Sequence, residues 1–134
     1  MYKLIKITNT GTNVPEPMRL PLSEAASCER AVPFYTENGI LTPVNASATR
    51  LPTHMTICEV NGKDVLCYEI TPQMVFGVKT ASSPDAMTVG TEYVLSADGS
   101  AVSASKVTGS LRGAVLLSKD GAKNAGDEVF VAFR

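Results

Sequence analysis

The chain has 134 residues, 44% hydrophobic and 19% charged, with twelve Lys plus Arg against thirteen Asp plus Glu and a formal net charge of -1. This is one domain's worth of chain, long enough to bury a core without disulfide staples, and its balance excludes a strongly basic nucleic-acid surface. No apolar run approaches the length of a membrane-spanning helix, and the opening residues lack the apolar core and cleavage site of a secretion signal, so neither a membrane nor a nucleic-acid partner is expected.

Tyr2–Thr8 mixes apolar and β-branched residues and predicts a strand, ended by Asn9-Thr10-Gly11. Pro15, Pro17 and Pro21 follow, each without a backbone donor, so this stretch is extended and poor as a central strand. Val14, Pro15, Pro17, Met18, Leu20 and Pro21 make it either a surface loop or an assembly arm laid along a neighbour. Ser23–Arg30 is the one helix candidate, with Ser23 as cap and Glu24 in the first turn, and a long loop with one helical turn is its alternative.

From residue 34 onward, short strand-like runs alternate with turn signals. Asn38-Gly39 separates Phe34-Tyr35 from Ile40-Leu41-Thr42. Met55–Val60 and Val65–Ile70 flank Asn61-Gly62-Lys63-Asp64 as a hairpin, and Met74–Val78 is a further strand. Thr91–Ser96, Ala101–Ser103, Leu111–Leu117 and Glu128–Phe133 complete the pattern. The last run is apolar on both faces, which predicts a central or sandwiched strand. Together they predict an all-β fold, a small barrel or sandwich over residues 34–134, preceded by an extended arm over residues 1–33 with at most one short helix.

The chemistry-bearing residues form no convergent set. The three cysteines, Cys28, Cys58 and Cys67, are an odd number, against a full disulfide framework. If Asn61 pairs with Asp64, Cys58 falls opposite Cys67 and a cross-strand disulfide is geometrically allowed; if the turn is Asn61-Gly62, Cys67 faces Thr56 instead. The bland alternative is two small buried hydrophobes. His54, the only histidine, lies four residues from Cys58, about 13 Å along a strand, too far for a shared metal. Glu59 and Glu69 fall on opposite faces, and Asp98, Asp120 and Asp127 sit in turns, where local backbone hydrogen bonding is their usual role. Ser23, Ser96 and Ser118 have no recognisable base. Asn45-Ala46-Ser47 matches a glycosylation acceptor, a triplet common by chance. No catalytic residue, metal or cofactor is assigned, and the chain is expected not to be an enzyme.

The C-terminal third carries a pattern: Gly90-Thr91, Leu95-Ser96, Asp98-Gly99, then Gly113-Ala114-Val115-Leu116-Leu117, then Gly126-Asp127-Glu128-Val129-Phe130-Val131. It resembles the small β-rich decoration (cement) proteins of tailed-bacteriophage capsids, over about residues 89–134. The resemblance implies a non-enzymatic virion protein, made in the host cytoplasm, that binds the capsid exterior through the major capsid protein, often as a homotrimer, and stabilises the shell. It also makes residues 1–21 a natural clamp. The competing expectations are a phage tail or baseplate component, and a small β-barrel enzyme or ligand-binding module. A carbohydrate-binding module is disfavoured because there is no Trp to form a platform.

Overall fold

A computed structural model describes residues 2–7, 16–23, 31–61 and 64–134. The strands are β1 (Lys3–Ile7), β2 (Met18–Pro21), β3 (Pro33–Glu37), β4 (Ile40–Pro43), β5 (His54–Asn61), β6 (Asp64–Glu69), β7 (Met74–Lys79), β8 (Glu92–Leu95), β9 (Val102–Lys106), β10 (Ala114–Ser118) and β11 (Glu128–Ala132). They form a six-stranded sheet, β1-β7-β11-β10-β8-β9, and a five-stranded sheet, β2-β6-β5-β3-β4, with every ladder antiparallel. Among the described residues the only helical element is a single 3-10 turn, Pro84–Ala86. The helix expected over Ser23–Arg30 lies, from residue 24 on, outside the described residues.

Alternation places the core. In β11, Val129 and Val131 are fully buried on one face, and β11 lies between β7 and β10, the internal position its two apolar faces predict. The main core also takes Phe76, Val78, Leu116, Tyr93, Leu95 and Val102 from the six-stranded sheet, and Met55 with the half-buried Tyr35 and Tyr68 from the five-stranded one. It therefore fills the space between two packed sheets. A second cluster contains Phe34, Leu41, Val65 and Cys67, flanked by Leu20, Leu22 and Val32. Phe34 and Tyr35 are neighbours on β3, as Cys67 and Tyr68 are on β6, so the two clusters lie on opposite faces of the five-stranded sheet.

Of the two expected architectures, the sandwich-like packing of two sheets forms and the barrel does not. Both sheets are open, with edges at β1 and β9 and at β2 and β4. Each sheet curls, but closing contacts are isolated bridges: Leu22 to Leu41 in one sheet and Thr80 to Val102 in the other. A closed barrel needs a continuous ladder in a consistent stagger all the way round, and one bridge does not supply it.

The proline-rich arm is likewise not evident. Met18, Arg19, Leu20 and Pro21 pair with Cys67, Leu66, Val65 and Asp64, forming an edge strand of the five-stranded sheet. An edge is where a strand tolerates missing N–H donors, so Pro21 is accommodated there. Leu20 packs against the second cluster, whereas Met18 and Pro21 are exposed. Pro17 precedes this strand and is exposed; Val14 and Pro15 lie outside the described residues. The first strand is integrated as well: β1 pairs with β7, and Tyr2 is buried against Phe76 and Phe133, ring centroids 6.5 and 5.8 Å away.

Candidate functional site

The β5–β6 hairpin decides the cysteine question. Near its turn Asn61 pairs with Asp64 and Val60 with Val65; farther out Thr56 pairs with Cys67. Both registers weighed from the sequence therefore occur in one hairpin, joined by a bulge that places Ile57, Cys58 and Glu59 of β5 across from Leu66 alone. Thr56, not Cys58, is the residue opposite Cys67. The Cys67 side chain is buried, and its thiol donates to the Met18 carbonyl at 3.5 Å. The Cys58 side chain lies outside the described residues.

His54 begins β5 and stands opposite Glu69. Its Nδ1 lies 2.8 Å from the Thr53 hydroxyl, which accepts from the Thr36 N–H at 3.1 Å. Partial burial lowers the imidazole below its ordinary pKa, and the Glu69 charge opposes that shift. Among the described residues no three His, Cys, Asp or Glu side chains come together to hold a metal, and no helix is long and apolar enough to cross a membrane.

The turn acids have structural work. Asp98 Oδ1 accepts from the Ser100 hydroxyl at 2.6 Å, the Ser100 N–H at 2.9 Å and the Ser96 hydroxyl at 2.8 Å. Those bonds hold its carboxyl at about 2. Gly99, at φ +76, lies under the Val44 carbonyl, so this turn docks tightly on the loop after β4. Asp127 accepts from the Lys123 and Asn124 N–H groups at 3.0 and 2.9 Å, which lowers it too. Gly90, Gly99, Gly121 and Gly126 all adopt positive φ. The C-terminal pattern thus divides between strands β8, β10 and β11 and the connections before β8, β9 and β11.

The feature that sequence reasoning missed is a cleft of about 330 Å³ beside the β3–β4 hairpin. Tyr35 and Glu37 reach it from one face of β3, two positions apart, and Asn45, Ser47, Thr49 and Arg50 from the loop after β4. The Arg50 guanidinium stacks 5.2 Å from the Tyr35 ring centroid and approaches Glu37 at 3.8 Å. Spacing on β3 was legible, but the return of a loop residue to stack on it was not.

Comparison with known proteins gives no match: no family model fits the chain, and neither a curated protein nor a solved structure matches it.

Proposed function

We propose that the chain is a non-enzymatic structural protein that attaches to the exterior of a tailed-phage capsid and stabilises the shell, with the major capsid protein as partner and a homotrimer as the attaching unit. The observation that carries this reading is the fate of the C-terminal pattern. Gly90, Asp98-Gly99 and Gly126-Asp127 lie in the connections before β8, β9 and β11, with the three glycines at positive φ. The resemblance is thus one of scaffold, the kind expected among proteins whose task is to be a rigid plug. Two packed sheets around a shared core suit that task, because such a domain presents a preorganised surface and loses little conformational freedom on docking.

Co-sedimentation tests the reading. The purified protein is mixed with heads of the phage that encodes it, and the bound amount per head is measured. Saturable binding in a symmetric number of copies is expected, together with heads that survive heating better. Association with isolated tails, and none with heads, would replace this reading with the tail or baseplate one. Size-exclusion chromatography with light scattering reads the trimer separately.

A further inference from the structure

We propose that the Tyr35–Arg50 cleft binds a neutral sugar ring. Its walls are set before any ligand arrives. The Asn45 Oδ1 accepts from the Ser47 N–H at 2.9 Å, and the Ala48 N–H returns to the Asn45 carbonyl at 3.0 Å. The Ala48 carbonyl in turn accepts from the Arg112 N–H at 2.8 Å, tying the loop to the segment that leads into β10. The guanidinium sits over the Tyr35 ring, 5.2 Å from its centroid. A loop pinned in this way has already met much of the entropy loss that binding imposes.

The chemistry of the walls selects the ligand. Arg50 offers N–H donors, Glu37 offers carboxylate acceptors, and the Ser47 and Thr49 hydroxyls and the Asn45 amide can do both. The Ser47 and Thr49 hydroxyls make no hydrogen bond among the described residues. An anion would gain from Arg50 but be repelled by Glu37, which sits 3.8 Å from the same guanidinium. A polyhydroxylated neutral ring matches both at once, because each of its hydroxyls donates and accepts. The cleft is at the small end of ligand sites and its walls are polar, so it suits one or two rings and weak affinity, roughly millimolar. The lack of Trp, which counts against a stacking carbohydrate module, leaves recognition to hydrogen bonds and one tyrosine and keeps the affinity weak. This inference stands apart from the capsid reading and survives or fails independently of it.

The test is a ¹H–¹⁵N correlation titration of the full chain with glucose, galactose and N-acetylglucosamine, and in parallel with sodium phosphate and galacturonate. At least one neutral sugar is expected to give saturable shifts confined to residues 35–37 and 45–50. Arg50→Ala and Glu37→Gln are each expected to weaken that sugar about tenfold, with unchanged thermal midpoints because both side chains are more than half exposed. The sign at Glu37 separates the readings: for an anion site Glu37→Gln would strengthen phosphate binding. That result, or the lack of a saturable shift with all three sugars up to on the order of 100 mM, overturns the proposal.

Discussion

Arg112 holds Glu92 with two nitrogens, Nε at 3.1 Å and Nη2 at 3.4 Å, and the same Glu92 carboxylate accepts the Gly113 N–H at 2.7 Å. Arg112 Nη2 also donates to the Arg134 carbonyl at 2.7 Å. One side-chain pair thereby ties β8, the approach to β10 and the C-terminal residue together. Glu92 is much the less exposed partner, at 17% against 39%, so its removal matters more than that of an ordinary surface pair. Glu92→Ala is expected to cost about 1.5–3 kcal/mol in urea denaturation, chiefly through the stranded Gly113 N–H and Arg112. A loss as small as that of an exposed pair would show the network to be peripheral.

Gly99 and Gly121 have almost the same backbone angle, φ +76 and +81, but different surroundings. A Cβ at Gly99 would lie 2.2 Å from the Val44 carbonyl oxygen, whereas Gly121 has nothing within 4 Å. Gly121→Ala is expected to cost only the left-handed penalty, about 1–2 kcal/mol. Gly99→Ala adds the clash with backbone, a further loss of about 1–3 kcal/mol. Equal thermal shifts in the two variants would mean the Gly99 turn does not dock on Val44.

Asp98 makes the fold acid-sensitive in a defined window. Its folded value, about 2, lies below the ordinary 3.8. Stabilisation from its ionised form is therefore complete above the ordinary value and is lost as pH falls from there through about 2. The melting temperature is expected to drop between pH 5 and pH 2, and Asp98→Asn to shrink that drop. Asp127, lowered by its own backbone donors, contributes in the same direction, so the drop is not abolished.

The first strand is expected to be indispensable. Deleting residues 1–7 removes the edge partner of β7 and the Tyr2 ring from the Phe76–Phe133 cluster. Circular dichroism should then report loss of the cooperative transition, the opposite of what a detachable arm would give. Tyr2→Phe probes the same place more gently. The Tyr2 hydroxyl is buried without a hydrogen-bond partner among the described residues, and burial, then the Asp98 charge, pushes its pKa far up. Removing it is expected to be neutral or to stabilise by about 1 kcal/mol.

Cys67 is expected to resist iodoacetamide in the native protein and to react fully after denaturation, as followed by peptide mass mapping. Its side chain has no exposure, and its thiol is engaged with the Met18 carbonyl. Rapid native labelling would place β2 off the sheet.

Much of the strand pattern was legible because its signals are local. Asn38 and Gly39 both adopt positive φ, 52 and 77, and make the two-residue turn their identities demand between Glu37 and Ile40. The internal position of β11 followed from apolar residues on both faces. What misled was the N-terminal stretch. Pro17 and Pro21 mark an extended, donor-poor segment equally well whether it hangs free or lines an edge. The partner that decides, Val65–Cys67 of β6, lies far along the chain. The β5 bulge was illegible for the same kind of reason: a turn fixes register only beside itself, and Thr56 opposite Cys67 depends on how β6 packs between β5 and β2. The cleft depends on Arg50 returning over Tyr35, a contact without sequence periodicity.

The order of strands in the six-stranded sheet bears on synthesis. Its internal strand β11 is the last one made, and its edge strand β1 is the first. While β11 is still in the ribosome, β7 lacks one neighbour and β10 lacks another, and Tyr2 has no Phe133 to meet. Non-local pairing of this kind is slow and all-or-none. Each of β7 and β10 therefore waits for a neighbour made later than itself, and the middle of the sheet is completed after its edges.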